Sequence, residues 1–464
     1  MLFTSPVFLF GFLPLLFLLY YLTPQKGKNL ILFVFSLFFY AWGELTYVGI
    51  LLFTIFFAYT FGRLLAFSNY KISVLTLAVA LHLSVLVYYK YFTFILVNFG
   101  IDTKSAEAIH LPLGISFFTF QAISYLVDIY RRKTTVQKNI IDLGLYISLF
   151  SQLIAGPIVR YNSIAEQIKQ RSHRLPQFVS GIERFSYGLA KKVLIANTLA
   201  SIADPIFALD NAELNFSLVW LALVCFSLQI YFDFSAYSDM AIGLGRMFGF
   251  QFQENFNYPY ISTSIKEFWK RWHISLSTWF RDYLYIPLGG SRKGRFRTYL
   301  NLIIVFVTCG LWHGASWNFL IWGVVHGAFL ILERLGLASV LLALPKLLRH
   351  IYALLVILIS WVFFKIESFA DALYFLKLMF SFGSGSEIYT LYYFINNQFI
   401  WTFIIALILC TPVAQSITTL YPNKEFMGSR LANTLRVFAI GILLFASLVV
   451  ISAMTYNPFI YFRF

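Results

Sequence analysis

The chain has 464 residues, of which 59% are hydrophobic and 12% are charged, and its formal net charge is +15. Soluble domains carry roughly 25% charged residues, so this composition excludes an ordinary soluble protein and predicts an integral membrane protein. No soluble basic domain is present to bind nucleic acid. The positive charge indicates basic cytoplasmic loops or a cytoplasmic site for a polyanionic ligand, and the two are compatible.

Apolar runs near 20 residues long predict membrane-crossing helices, because a helix of about that length crosses the hydrocarbon core. Such runs or shorter ones occur at 6–22, 29–42, 46–62, 72–98, 111–133, 193–210, 215–250, 298–313, 317–332, 351–366, 399–418 and 433–455. The first lysines, Lys26 and Lys28, follow the first run, so the charge bias predicts an extracytoplasmic N-terminus. Following the orientation along the chain predicts an extracytoplasmic C-terminus as well.

The run 140–157 is predicted to be re-entrant. Basic loops flank it on both sides, so a full crossing would place one of them outside, against the charge bias. A segment broken at Gly156–Pro157 fits better, since broken helices are tolerated inside protein or against a cavity. The polar residues 160–192 predict cytoplasmic helices.

The stretch 265–297 holds eight basic and two acidic residues with interleaved tryptophans and tyrosines. A segment this basic cannot be an ordinary span, and aromatic and snorkelling basic residues are typical of a membrane interface. We therefore predict helices that enter from the cytoplasmic side. His273 lies in this stretch and His313 in the apolar run that follows, where ionisable residues mark functional sites.

The two histidines suggest acid–base chemistry. A neutral imidazole can take a proton from a hydroxyl that attacks a carbonyl. Gly314 follows His313 and is expected to leave room beside its ring, and both histidines could face one cavity if the helices fold back. A metal site of His273, His313 and His326 is the weaker alternative, because no carboxylate or cysteine is spaced to complete it. For His326 alone, a satisfied core imidazole is the favoured interpretation.

Four further residues are candidates for a tunnel or substrate path. Asp233 and Asp239 lie within an apolar run and are six residues apart, so they do not share a helical face. Buried hydrogen bonds to hydroxyls and backbone are the favoured interpretation, and lining of a transport or substrate path is the alternative. Arg271 and Trp312, which neighbour the two histidines in sequence, are candidate tunnel residues. The three cysteines lie in apolar runs and predict neither a disulfide nor a metal site.

Five long strings make the sequence resemble the membrane-bound O-acyltransferases. They are PLGISFFTFQAISYLVDIYR, QLIAGPIVRY, YFDFSAYSDMAIGLGRMFGF, NFNYPYISTSIKEFWKRWHISLSTWFRDYLYIPLGG and GLWHGASWNFLIWGVVHG. The similarity is greatest to the branch that acetylates alginate, and a branch that transfers D-alanine to lipoteichoic acid is related to it. The resemblance covers nearly the whole chain and is strongest after the first four apolar runs.

The resemblance implies an all-α polytopic fold, with a ring of about 11 transmembrane helices and further re-entrant and cytoplasmic helices around a central tunnel. A single membrane domain is expected over residues 1–464. Within it, 1–110 would form N-terminal helices, 111–335 a catalytic core, and 336–464 the C-terminal helices with an extracytoplasmic aromatic tail.

The resemblance also implies an O-acyltransferase of the bacterial inner membrane. Acetyl-CoA is the expected donor and stays in the cytoplasm because its phosphates cannot cross lipid; no tightly bound cofactor is expected. The acetyl group would reach an extracytoplasmic polysaccharide such as alginate through an extracytoplasmic partner of the SGNH-hydrolase type. A transporter or flippase of an acylated or lipid-linked saccharide, without covalent chemistry, is the alternative.

By the same resemblance, His313 in LWHG matches the essential histidine of the family, and His273 in RWHISLS matches its second histidine. The ending NPFIYFRF resembles a C-terminal motif of this branch in which a tyrosine, here Tyr461, is thought to accept the acyl group. A phenol with a pKa of about 10 is a weak nucleophile without a base, so we expect His313 to deprotonate Tyr461. An interfacial aromatic anchor is the competing interpretation of this tail.

Overall fold

The computed structural model describes residues 1–101, 110–154, 156–382, 386, 388–413, 430–453, 456 and 458. Within these residues the regular secondary structure is helical throughout, and no strand occurs. This confirms the predicted all-α fold. The physical reason is that a helix satisfies its backbone hydrogen bonds within a single segment, which lipid requires.

The first helices of the chain cover the first five predicted apolar runs, the predicted re-entrant run and the polar stretch 160–192. A π-helical turn, Val7–Phe12, leads into the first of them. They are α1 (Leu13–Leu22), α2 (Lys28–Glu44), α3 (Val48–Phe67), α4 (Lys71–Asn98), α5 (Ile115–Tyr130), α6 (Ile140–Ser148), α7 (Phe150–Leu153), α8 (Tyr161–Lys169) and α9 (Leu175–Ala190).

The run 140–157 is interrupted, but the interruption begins earlier than predicted. The break between α6 and α7 comes at Leu149, where ψ is 113°, and not first at Gly156–Pro157. Asn139 caps α6 by accepting a hydrogen bond from the Ile141 N–H at 2.9 Å. Both helices are too short to cross a membrane, and their side chains are mostly buried.

The later helices include the basic stretch and the remaining apolar runs. A second π-helical turn, Lys191–Ala196, joins α9 to the first of them. They are α10 (Asn197–Phe207), α11 (Phe216–Met247), α12 (Ile265–Arg271), α13 (Ile274–Phe280), α14 (Arg295–His313), α15 (Trp317–Leu332), α16 (Ala338–Ala343), α17 (Lys346–Lys365), α18 (Phe369–Met379), α19 (Leu391–Phe394), α20 (Asn397–Leu409) and α21 (Arg430–Ala453). The basic stretch 265–297 begins with the short helices α12 and α13, so it is not an ordinary span.

Seven helical segments in the described ranges are long and apolar enough to cross a membrane. They are Gln25–Phe67, Lys71–Asn98, Phe216–Met247, Arg295–His313, Trp317–Ala343, Lys346–Lys365 and Arg430–Ala453. In the last of these, Phe438 and Phe445 are exposed, and such apolar faces suit lipid rather than water. The chain is therefore a multi-pass membrane protein.

The chain divides into two compact units. The first comprises Met1–Phe185 and Tyr237–Gln253, and the second comprises Ser186–Ala236 and Glu254–Phe464. Both candidate histidines belong to the second unit, and the site is built within it. The predicted subdivision at residues 110 and 335 stays a prediction.

Helices α14 and α15 pack backbone against backbone. A Cβ on Gly310 would lie 2.3 Å from the carbonyl oxygen of Phe319, and one on Gly323 would lie 2.2 Å from that of Phe306. No side chain larger than the hydrogen of glycine fits at such a distance. This contact sets the position of His313, which ends α14 one turn after Gly310.

Candidate active site

His313 is the last residue of α14 and is 4% exposed. Three aromatic rings meet its imidazole edge to face, with centroid distances of 5.0 Å to Trp312, 4.9 Å to Trp322 and 5.3 Å to Phe364. Such packing restricts the orientation of a ring. A fixed imidazole is what positioned proton transfer requires.

The glycine after His313 has a packing role that differs from the expected one. A Cβ at Gly314 would lie 2.2 Å from the ring of Phe319. The space beside Gly314 is therefore filled by that ring, whereas we expected it to be open beside the imidazole. Phe319 in turn packs on Phe364 at a centroid distance of 5.1 Å, and Phe364 is one of the rings around His313.

His273 lies between α12 and α13 and is completely buried. Its φ of 43° falls in the left-handed region, which persists in a non-glycine residue only where surrounding contacts enforce it. Asn255 supplies these contacts. Its carbonyl oxygen accepts from the Ile274 N–H at 2.9 Å, and its Oδ1 accepts from the N–H and hydroxyl of Ser275 at 3.1 and 2.8 Å.

The imidazole of His273 is neutral and is set up as a hydrogen-bond acceptor. Asn255 Oδ1 lies 3.2 Å from Nδ1, which assigns the ring hydrogen to Nδ1 and leaves the lone pair on Nε2. Nε2 is buried and has no hydrogen-bond partner among the residues that the structure describes. Burial lowers the pKa of His273 to about 3, so the ring is uncharged at physiological pH.

Trp312 brings the two histidines into one site. Its ring lies 6.1 Å from the His273 ring and 5.0 Å from the His313 ring, measured between centroids. Phe234 of α11 also packs on the His273 ring, in an edge-to-face arrangement with 4.6 Å between the ring centroids. Of the residues singled out from the sequence, the structure thus gathers His273, Trp312 and His313.

His326 lies in α15 within the same unit. Its ring packs on Trp322 at 5.0 Å, and its Nδ1 accepts a hydrogen bond from the Trp269 indole N–H at 3.2 Å. These contacts satisfy Nδ1, whereas Nε2 is buried and has no hydrogen-bond partner among the described residues. The interpretation of His326 as a satisfied core imidazole therefore stays a prediction. Over the residues described, no group of three His, Cys, Asp or Glu side chains is arranged to hold a metal ion.

The two aspartates of α11 form separate ion pairs. Asp233, 2% exposed, lies 2.7 Å from Nζ of Lys192, which is 1% exposed. Asp239 lies 2.7 Å from Nη2 of Arg184. Buried hydrogen bonding was the favoured interpretation, and the structure adds a cationic partner for each carboxylate. A role for either aspartate in a substrate path stays a prediction.

Arg271 is engaged in contacts that brace α12. Its guanidinium lies 2.9 Å from a carboxylate oxygen of Glu267 and donates to the carbonyl oxygen of Asn257 at 3.1 Å. Glu267 also accepts from the Thr263 N–H at 2.9 Å. Arg271 thereby holds the helix that precedes His273, and its tunnel role stays a prediction. Tyr461 lies outside the described residues.

Asn255 is a site residue that the sequence did not single out. It belongs to the string NFNYPY, which contributed to the family resemblance. Nothing in that string assigned it a role, because an asparagine in a polar loop is ordinarily a turn residue. Only the fold places it against His273.

A cavity of about 450 Å³ lies along α12, α13 and α14. Phe306 and Cys309 contribute to its mainly apolar wall, and Lys266, Lys270 and Arg281 contribute cations. The wall therefore follows α14 to about one turn before its C-terminal histidine. An apolar wall edged by cations suits an amphiphilic anion.

These features define a multi-pass helical membrane protein with two buried histidines joined through a tryptophan. The chain belongs to the membrane-bound O-acyltransferase family, whose model matches residues 64–376, and it is accordingly an acyltransferase. This confirms the resemblance predicted from the sequence.

Individual relatives agree with that membership. The chain is 46% identical to a probable alginate O-acetylase of Azotobacter vinelandii, over 82% of the chain and 79% of that protein. It is 40% identical to a probable alginate O-acetylase of Pseudomonas putida over 100% of both chains. It is 38% identical to a peptidoglycan O-acetyltransferase of Helicobacter pylori, over 82% of the chain and 80% of that protein.

Proposed function

We propose that the chain moves an acetyl group from cytoplasmic acetyl-CoA to an extracytoplasmic polysaccharide, with alginate as the leading acceptor. The observation that carries this proposal is the buried cluster of His273, Trp312 and His313 near a cavity edged by cations. The names of relatives that acetylate alginate or peptidoglycan support both the acetyl group and a polysaccharide acceptor. The setting is a bacterial inner membrane, with both termini extracytoplasmic.

Acetyl-CoA fits the chemistry of the cavity along α14. Its pantetheine arm and acetyl group are weakly polar and suit the wall that includes Phe306 and Cys309. Its phosphates suit Lys266 and Lys270, while the third cation, Arg281, is paired with Asp282 at 2.7 Å. The donor would therefore present its thioester toward the C-terminal end of α14.

The first chemical step is attack of a hydroxyl oxygen on the thioester carbonyl. An O–C bond forms, the C–S bond breaks, and CoA leaves as the thiol. His313 takes the hydroxyl proton as general base and returns it to the departing sulfur. Neutral His273, with the lone pair of Nε2 unused, receives a hydrogen bond from a reacting group and orients it.

The acceptor of this first transfer is Tyr461, whose hydroxyl becomes an acetyl ester. A hydroxyl of an extracytoplasmic SGNH-type partner then attacks that ester, which restores the phenol, and the partner passes the acetyl group to the polysaccharide. Only the small acyl group crosses the membrane in this scheme. The charged donor and the polymeric acceptor each stay on their own side.

A labelled-acetyl assay tests the proposal. Membranes that contain the protein are incubated with acetyl-CoA labelled in the acetyl group, and transfer is measured per folded molecule. His313→Ala should reduce transfer by at least about 100-fold, the usual contribution of a general base. His110→Ala, which removes an exposed imidazole, is the control and should match wild type. Wild-type transfer by folded His313→Ala would contradict the proposed chemistry.

A second variant separates the tyrosine step. Tyr461→Phe removes only the phenolic oxygen and should abolish acetylation of the polysaccharide. Full polysaccharide acetylation by this variant would remove Tyr461 from the scheme and leave the aromatic-anchor interpretation of the tail.

A further inference from the structure

Two charge clusters in the second compact unit, one buried and one partly exposed, contact Pro458 and Tyr456 beyond α21. We propose that these clusters clamp the C-terminal tail beside the histidine site, with Lys192 and Asp204 as positioning residues for acyl transfer. The inference deepens the proposed function and rests on it for the role of the tail in transfer. The clamp itself can be tested without any transfer reaction.

The first clamp is centred on Lys192, in the π-helical turn between α9 and α10. Its ammonium group lies 2.7 Å from Asp233 Oδ1 and also donates to the carbonyl oxygen of Pro458. A buried ammonium carries three donors that need partners. The tail carbonyl is one of them, so the ion pair and the tail are parts of one buried network.

The second clamp is centred on Asp204, near the end of α10. Its Oδ1 lies 2.5 Å from Nζ of Lys365, at the end of α17, and its Oδ2 accepts a hydrogen bond from the hydroxyl of Tyr456. One carboxylate thus joins a transmembrane helix to the tail through its two oxygens. Hydrogen bonds to a charged acceptor are stronger than neutral ones.

Each clamp adjoins a residue that touches a candidate histidine. Lys365 directly follows Phe364, whose ring lies 5.3 Å from that of His313. Asp233 directly precedes Phe234, whose ring lies 4.6 Å from that of His273. The tail is therefore tied to the same two helices, α17 and α11, that pack aromatic rings on the site.

The clamp limits where the end of the chain can reach. Tyr461 is three residues beyond Pro458, and three residues of fully extended chain span at most about 11 Å. Holding a reacting group near its site replaces an encounter by an intramolecular step. An aromatic anchor that merely rests in the membrane interface needs no buried ion pair, which is why we infer a positioning role.

The test measures tail release and transfer on the same full-length protein. Tyr456→Phe and Asp204→Asn each remove one member of the second clamp. Purified protein is treated with carboxypeptidase, and loss of the C-terminal residues is followed by mass spectrometry. Losing a hydrogen bond to a charged group should speed removal by about tenfold. Tyr392→Phe, at an exposed tyrosine, is the matched control and should behave as wild type.

The transfer readout distinguishes positioning from general stability. In Tyr456→Phe, acetyl transfer should fall by about tenfold while the melting temperature and the KM for acetyl-CoA stay at wild-type values. Asp204→Glu keeps the carboxylate and should therefore transfer acetyl groups faster than Asp204→Asn. Lys192→Met leaves Asp233 buried without its cation and is expected to unfold the protein, so the second clamp supplies the decisive variants.

The outcomes separate the clamp from the proposed function. Unchanged carboxypeptidase digestion in folded Tyr456→Phe and Asp204→Asn overturns the clamp, whatever the transfer rate. Faster digestion together with wild-type transfer overturns the positioning role while the tail contact stands. Faster digestion and slower transfer support both, and a fully active Tyr461→Phe would then refute the tyrosine step alone.

Discussion

Replacing Gly310 by alanine probes how the α14–α15 contact holds the site. The added Cβ would lie 2.3 Å from the carbonyl oxygen of Phe319, whereas an unstrained contact needs about 3.5 Å. The helices must therefore separate by about 1 Å. Because the clashing oxygen belongs to the backbone of α15, no side-chain rotation can relieve the overlap.

The separation moves His313 relative to the rings that orient it. His313 follows Gly310 by one turn on α14, while Trp322 lies on α15 at a ring distance of 4.9 Å. A misplacement of about 1 Å at a reacting group can lower a rate about 100-fold. That factor corresponds to about 2.7 kcal/mol of activation free energy. Overpacking should also lower the free energy of unfolding by about 1–3 kcal/mol.

The assay is labelled-acetyl transfer per folded molecule, with folding checked by size exclusion and thermal melting. Gly441→Ala is the matched control, because it makes the same change in α21 at a position with nothing within 4 Å of the new Cβ. It should keep wild-type transfer and gain up to about 1 kcal/mol from helix propensity. If Gly310→Ala behaves like this control, the backbone contact does not set the geometry of the site.

Three further predictions concern the histidines and their neighbours. Asn255→Ala removes the acceptor on His273 Nδ1 and should lower transfer by about tenfold, whereas Asn255→Asp should retain more activity; rates per folded molecule check this. Since burial lowers the pKa of His273 to about 3, the ring stays neutral from about pH 5 to 8, so wild type and His273→Gln should show pH–rate profiles of the same shape. Burial, with Lys28 and Arg171 nearby, lowers the pKa of His173 to about 4, while the unfolded value is about 6.5. Its contribution to stability is therefore complete above about pH 6.5 and is lost as the pH falls toward about 4. The melting temperature should fall less on acidification in His173→Gln than in wild type.

Most crossings could be predicted because lipid imposes a length and a composition that are visible locally. The run 72–98 became α4, Lys71–Asn98, and the run 317–332 became α15 with the same bounds. The basic stretch 265–297 could also be excluded as a span from its charges alone. Local composition is sufficient where the solvent is lipid and each helix satisfies its own backbone.

The contacts that orient the site could not be predicted, because they join residues distant in sequence. Asn255 enforces a left-handed backbone at His273, and no local pattern marks a histidine for φ of 43°. Phe319 fills the space beside Gly314 from the facing helix. Sequence spacing shows which residues share a helical face but not which neighbouring helix fills it.

Asp233, Asp239 and His273 are all buried, but they differ in the groups that contact them. Asp233 and Asp239 each meet a cation at 2.7 Å, so their charge is compensated and their geometry is committed to the fold. His273 meets instead a neutral amide, remains uncharged and keeps one ring nitrogen without a hydrogen bond in the described structure. A neutral imidazole with an unused lone pair can accept a hydrogen bond from a reacting group. The sequence marks all of these residues alike, because ionisable groups are costly in an apolar chain. Their different partners become visible only in the fold, and the proposed role of His273 beside His313 rests on that difference.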